Sequence, residues 1–329
     1  MQIQKPVATV IRRTLLAIGV LSILWMLLLS SAGAHQTLGR TYYWLDAKWE
    51  ASWPFASGRY ALSRLVPLLM RFGILQKDFV EVEPGMTMFL DPRDFEARRL
   101  IETGAYQDHV WLSLVKRSTE GSVVIDVGAH FGVFTIKAAK KVGNTGRVVA
   151  IDPNPEILKL LRVNIAASNV DNVTVVPVAC TARDEILTFY ASPLANTGES
   201  SLARENATVP LASAPREYQV RGMALDNIVR ELGLKRVDAV KIDVEGAELE
   251  VLKGAQRTLE QFHPLIVVEI GPEKEVPFHA KPDDVVSLLK QAGYGPGSHL
   301  ADEDWEFTPT PPEIPSSGPR AAMPAGKAK

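Results

Sequence analysis

The chain has 329 residues, 46% of them apolar, enough for one good-sized core with appended ends. Lys and Arg (36) nearly balance Asp and Glu (38), and the charges are interleaved, so the clustered basic footprint of a nucleic-acid binder is excluded. The single cysteine, Cys180, excludes an internal disulfide and a zinc site built on several thiolates.

From Thr14 to Ala34 the chain carries no charge and is preceded by Lys5, Arg12 and Arg13. About 20 apolar residues span a bilayer, so residues 1–34 are expected to form a single-pass transmembrane anchor, with the membrane as partner. The alternative is a signal peptide cut after Ala34, where Ala32-Gly33-Ala34 has the small-x-small pattern, leaving a secreted or periplasmic protein. Residues 35–120 are expected to be a membrane-proximal extension of helices and strands. Tyr42, Tyr43, Trp44, Trp49, Trp53 and Phe55 suit a headgroup zone. Tyr60 to Phe72 has one apolar helical face flanked by Arg59, Arg64 and Arg71, suited either to headgroups or to packing on the catalytic domain. Val80 to Pro92 reads as short strands around the Pro84-Gly85 turn, and Phe95 to Val115 as one or two helices. Tyr106, His109 and Trp111 there form either part of a lid or an apolar helix face.

The stretch expected to carry chemistry is 121–307. Val123 to Val127 reads as a buried parallel strand, Gly128 to Gly132 as a tight turn, and the run to Val142 as a helix, together half of a nucleotide-binding βαβ unit. A second strand ends in Asp152, 26 residues after Asp126, close to the distance at which a doubly wound fold places a carboxylate on a ribose diol. Asn154 caps and Pro155 opens the next helix. Asn172 to Ala179 is a third strand, whose carboxyl end, at Ala179, Cys180 and Thr181, passes where a nucleotide base lies. Ile186 to Ala191 and Tyr218 to Gly222 read as antiparallel strands, joined by a polar loop through Gly198 to Leu202 that is expected over the crevice. After a helix from Leu225, Asp238 to Asp243 forms the fourth parallel strand, followed by Glu245 and Glu248; Lys241 needs a carboxylate partner if buried. Leu249, Leu252, Ala255 and Leu259 continue as one helical stripe, Pro264 to Gly271 is a fifth strand carrying Glu269, and Pro282 to Ala292 a last helix. Residues 308–329, rich in Pro, Gly and Ala, read as a flexible tail.

His130 stands where a dinucleotide fingerprint wants its middle glycine, and Asp126 beside the turn repels phosphate, so a nicotinamide cofactor is disfavoured. A cationic, ribose-bearing ligand without phosphate fits better, and S-adenosylmethionine is such a ligand. Asp126 to Thr135, Ile151 to Pro155 and Val240 to Glu248 also resemble, in that order, motifs of the FkbM family of S-adenosylmethionine-dependent methyltransferases. The resemblance covers Val123 to Gly271. It implies a Rossmann-like, doubly wound, mostly parallel seven-stranded sheet and O-methylation of a hydroxyl on a sugar, lipid or secondary-metabolite acceptor. It further implies that Asp126, Gly128 and Gly132 hold the methionine end and Asp152 the ribose hydroxyls, with His130, Asn154 and Ala179 also in the cofactor site. His130 replaces the family's usual Asn and Asp152 its usual Glu; both can still hydrogen-bond. An alcohol needs a base, for which Asp243 is the candidate, with Glu245 or Glu269 orienting it. No metal is assigned, although hard oxygens at Asp243 would suit Mg²⁺. The readings that compete are a membrane-tethered binding module without turnover and a nicotinamide-dependent oxidoreductase.

Overall fold

The computed structural model describes residues 65–75, 77–209, 212–272, 274 and 276–310, with five positions ahead of them: 38, 39, 41, 42 and 45. Helix α1 (Val66–Arg71) leads to a hairpin of β1 (Asp78–Glu83) and β2 (Met86–Leu90), then α2 (Phe95–Thr103) and α3 (Asp108–Val115). There follow β3 (Val123–Val127), α4 (Val133–Val142), β4 (Arg147–Ile151), α5 (Pro155–Ala167) and β5 (Val173–Val176). An excursion of β6 (Ala179–Cys180), β7 (Glu185–Ala191) and β8 (Arg216–Met223) precedes α6 (Leu225–Glu231) and β9 (Ala239–Ile242). The remaining elements are α7 (Glu248–Lys253), α8 (Gln256–Phe262), β10 (Leu265–Glu269), α9 (Pro282–Gln291), β11 (Ser298–Ala301) and β12 (Asp304–Phe307).

The expected seven-stranded sheet is present, in the order β11-β12-β10-β9-β3-β4-β5. The five strands from β10 to β5 run parallel, and β12 is antiparallel to both β10 and β11. Strand β3 is buried at all five positions because both faces are covered by helices, which is why its sequence reads as an apolar run. Side chains alternate between the faces. Ile125, Val149 and Val240 pack with Leu252, Leu259 and Phe307 on one side, while Val124, Val148 and Val267 pack with Phe134, Ala138 and Leu114 on the other. The chain lays β4 and β5 on one side of β3 and then crosses to lay β9 on the other. A crevice opens at such a reversal, outside the carboxyl ends of the strands.

Several local expectations are revised. The predicted third strand breaks at Pro177, which has no N–H to give, so Ala179 and Cys180 leave the main sheet and pair with β8. The stripe from Leu249 to Leu259 is divided between α7 and α8 at Gly254. Strands β11, half-exposed at the edge, and β12, buried at Asp304 and Phe307, are short and close the sheet where no strand was expected.

The membrane reading is corrected. Among the described residues no helix is long and apolar enough to cross a membrane, and the run from 14 to 34 lies outside them. The transmembrane element, the single-pass localisation and the membrane as partner are withdrawn. Tyr42, expected at a headgroup zone, is instead buried with Leu38, Val66, Leu69, Ile74 and Leu75, the small apolar cluster on which α1 packs. The other aromatics of that region, Arg59, Arg64 and the tail from 311 lie outside the described residues.

Candidate active site

A cavity of about 230 Å³, open to solvent, lies at the carboxyl ends of β3, β4, β9 and β10. Its floor is set by one close approach. Gly128 has φ +80°, and a Cβ there would run into the carbonyl oxygen of Asp243, so only glycine lets the ends of β3 and β9 meet. Beneath this contact Asp126 and Lys241 are cross-strand neighbours. Lys241 Nζ lies 3.2 Å from Asp243 Oδ2 and 3.7 Å from Asp126 Oδ1, and donates to Gly128 O at 3.1 Å. Asp126 is fully buried, accepts from Thr135 Oγ1 at 2.5 Å, and is not among the residues lining the cavity. The cation that Asp126 meets is therefore Lys241.

The wall on the β9–β10 side brings together the three acids expected to be catalytic. Asp243, Glu245 and Glu269 each place a carboxylate oxygen within 4.8 Å of the others. Lys274, which sequence reasoning missed, sits among them: its Nζ is 2.8 Å from Glu245 Oε2, 2.9 Å from Glu269 Oε1 and 3.6 Å from Glu303 Oε2. Glu245 has a left-handed backbone (φ +58°), a conformation costly for a residue with a side chain. Ser201 Oγ and Asn206 Nδ2 hold it by donating to its carbonyl, each at 2.8 Å, and Asn206 Nδ2 also reaches Lys274 O at 2.7 Å. Glu248 Oε1 braces the same turn, accepting from the N–H groups of Val244 (3.0 Å) and Gly246 (3.1 Å).

These carboxyls differ in proton affinity. Burial would raise Asp243, but Lys241, Lys274 and the Gln107 amide at 3.3 Å outweigh it and hold the group below its ordinary value. Burial dominates at Glu245, pushed up to about 8 against the pull of Lys274, and drives Glu269 well above the carboxylate range with help from Asp243 and Glu245. It also pushes Glu248 up to about 7.

On the opposite wall, burial pushes Asp152 up to about 6 although its oxygens accept the backbone N–H of Asn154 (2.8 Å) and His130 (2.9 Å). Asn154 uses its side chain to cap α5, at 3.1 Å from Glu156 N, and faces the cavity together with Ala179 and Cys180. Burial pushes the Cys180 thiol up to about 12, so it is an inert apolar side chain. Gly132 opens α4 against Leu161 and does not line this cavity.

The loop between β7 and β8 covers the crevice, as expected, and Asn196, Thr197 and Glu199 face inward. Thr197 donates to Asp94 Oδ2 from its hydroxyl (2.7 Å) and its backbone N–H (2.8 Å). Its oxygen therefore accepts from His130 Nε2–H at 2.7 Å, which leaves His130 Nδ1 an acceptor without a partner among the described residues. Burial lowers His130 to about 4, so the ring is neutral. Of the predicted lid residues, Tyr106 lines the cavity, whereas His109 bonds Asp304 at 2.6 Å and Trp111 packs edge-on against Phe134. Gln107, Asp94 and Lys274 carry no sequence signal, because they reach the site from elements distant in the chain.

The donor set suits one kind of ligand. Among the described lining residues Lys274 is the one lysine or arginine, against acids that include Asp152, Glu199, Asp243, Glu245 and Glu269. Such a crevice repels phosphate and accepts a cation with sugar hydroxyls, which fits S-adenosylmethionine. Strand order and crevice together define the class of S-adenosylmethionine-dependent methyltransferases with a Rossmann-like sheet.

Residues 126–296, over half the chain, match the family described as the methyltransferase FkbM domain, and the chain belongs to that family. It is 28% identical over 199 residues to the hexuronic acid methyltransferase AglP of Haloferax volcanii, covering 60% of this chain and 73% of that protein. It is also 28% identical over 202 residues to the AMB antimetabolite synthetase AmbE of Pseudomonas aeruginosa, covering 53% of this chain but only 9% of that much longer protein. A crystal structure of methyltransferase FkbM from Methylobacillus flagellatus aligns with 77% of this chain and 71% of its own, at 14% identity and a TM-score of 0.39.

Proposed function

We propose that the chain moves the methyl group of S-adenosylmethionine onto a hydroxyl oxygen of a small carbohydrate-like or metabolite acceptor, with residues 121–307 as the catalytic unit. The observation that carries this reading is the convergence of Asp243, Glu245 and Glu269 on one wall of the crevice, opposite Asp152. The similarity to a hexuronic acid methyltransferase supports a carbohydrate hydroxyl.

When bound, S-adenosylmethionine supplies an electrophilic methyl group on a sulfonium. Each Asp152 oxygen accepts one backbone N–H and keeps a lone pair, so the carboxylate can receive ribose hydroxyls. Gly128 and His130 line the cavity next to it, and Asn154 and Ala179 complete that wall. Asp126 acts through Lys241, which it keeps charged beneath the floor. Glu245, bridged to Glu269 by Lys274, takes the proton of the acceptor hydroxyl as its oxygen bonds to carbon; a base of pKa near the working pH is best suited to that. Asp243, pinned in its ionised form by Lys241 and Gln107, orients the acceptor rather than accepting the proton. This reverses the roles that the motifs alone suggested.

The test pairs two variants of the purified protein, read by calorimetric titration of S-adenosylmethionine and by release of S-adenosylhomocysteine. Asp152→Ala should weaken cofactor binding, and Glu245→Gln should leave binding intact while lowering turnover. Tighter binding of NAD⁺ than of S-adenosylmethionine would overturn the reading.

A further inference from the structure

Tyr106 lies in the turn between α2 and α3 and is fixed from both sides. Thr103 Oγ1 accepts from the N–H of Ala105 at 3.1 Å, and Gln107, the next residue, donates its amide to Asp243 Oδ2 at 3.3 Å. The ring packs on the fully buried Phe131, with centroids 5.9 Å apart, and so leans on the turn after β3. Its hydroxyl, by contrast, has no hydrogen-bond partner among the described residues and is not enclosed, so it is open to the crevice that Tyr106 lines. Packing on Phe131 would be met equally by phenylalanine; a firmly held phenol with an idle hydroxyl is placed for a ligand.

The neighbours of Tyr106 say which part of the ligand it meets. It lines both the crevice and a small recess beside it, and Gly128 and His130 line both as well. The N–H of His130 bonds Asp152 at 2.9 Å, so the turn that receives the methionine end adjoins the acid that receives the ribose. The sulfur of S-adenosylmethionine joins those two portions. Burial first, and then the charges of Glu96, Asp243, Asp94 and Glu245, raise the Tyr106 phenol well above its ordinary value, so it stays neutral and is no base. What it offers is an electron-rich ring face and the lone pairs of its oxygen.

We infer that Tyr106 faces the sulfonium and its methyl group, and that through it the crevice holds the charged methyl donor more tightly than the neutral thioether left after transfer. The inference rests on the methyltransferase reading above and adds to the cofactor site a residue that lies outside the three motifs. A ring face attracts a cation through its quadrupole, by about two- to thirtyfold in affinity according to how far water is excluded, and has no such attraction for a thioether. Asp243 and the other carboxyls draw any cation into the crevice, whereas the contribution of Tyr106 is short-ranged and falls on the sulfonium.

The full chain, unaltered and as Tyr106→Leu and Tyr106→Phe, is titrated calorimetrically with S-adenosylmethionine and, separately, with S-adenosylhomocysteine. Tyr106→Leu should weaken S-adenosylmethionine by about fivefold or more while S-adenosylhomocysteine moves by less than about twofold, and Tyr106→Phe, which keeps the ring, should lose less. If Tyr106→Leu does not melt cooperatively, Tyr106→Phe decides, because the hydroxyl it removes has no bond within the fold to lose; a preference for the sulfonium lowered by about twofold or more then supports the inference. A preference unchanged in the deciding variant, or an equal loss of both ligands, overturns this inference alone. Failure of both ligands to bind the unaltered chain strikes the methyltransferase reading, and this inference with it.

Discussion

His130 Nε2 lies 2.7 Å from the hydroxyl of Thr197, which ties the turn after β3 to the loop that covers the crevice. Asp94, at the start of α2, completes the chain by accepting twice from Thr197. The neighbours of His130 are arranged differently on its two sides, since its backbone N–H serves Asp152 and its ring serves the loop. Thr197→Val keeps the shape and removes the hydroxyl. A bond to a charged partner contributes about 1.5 kcal/mol or more, so the acceptor KM should rise about tenfold while the cofactor Kd moves less than threefold. Hydrogen exchange at residues 196–201 should accelerate in parallel. An acceptor KM unaffected by the change would show that the loop does not depend on this latch.

Among the described residues Lys241 is the one cation paired with the fully buried Asp126, and it also holds Asp243. Burial alone would lower its pKa, but Asp243 and Asp126 reverse that and raise it, so it is charged throughout the working range. Lys241→Met fills similar space and strands a buried carboxylate, which should cost about 3–5 kcal/mol in a denaturant melt. Adding Asp126→Asn should return part of the loss, because the stranded charge is then absent. A double variant no more stable than the single one would mean that the pair is not coupled.

The proposed proton acceptor can be recognised by its titration. A base must be ionised, so turnover should climb with pH through the value of Glu245, about 8, rather than through the depressed value of Asp243. Glu245→Gln should lower kcat by about 10²–10⁴-fold and abolish this limb. Lys274→Met removes a cation that favours the ionised form, so in that variant the limb should move to higher pH. A profile already flat at pH 6 would return the role to Asp243.

Much of this architecture was legible in the sequence because parallel strands buried on both faces leave continuous apolar runs, as in Val123 to Ile125 and Leu265 to Val268. Acids placed directly after such runs were equally visible, and Asp152, Asp243, Glu245 and Glu269 do share one cavity. Asp126 looked the same in sequence, yet its side chain faces the sheet interior, where Thr135 and a cross-strand lysine hold it. The sequence separation between Asp243 and Lys274, or between Thr197 and Asp94, carries no periodic signal, so those partners emerge only when the chain is folded. Strands β11 and β12 were missed for a different reason, since each is only four residues long and the acids Asp304 and Glu306 interrupt the apolar Trp305 and Phe307.

Glu248 provides a last test, through stability rather than rate. Its folded pKa of about 7 lies above the ordinary 4.5, so the folded state binds its proton more tightly than the unfolded chain does. The stability this confers is complete below pH 4.5 and is lost as pH rises through 7, to the extent of about 3 kcal/mol at most. Glu248→Gln keeps an oxygen for the N–H groups of Val244 and Gly246 and removes the ionisation. Its Tm relative to the unaltered protein should therefore improve from pH 5 to about pH 7 and level off above about pH 8, because the other titrating carboxyls are common to both and cancel. Two melting curves that stay parallel across that range would place the Glu248 pKa near its unfolded value and remove the burial cost assigned to its ionised form.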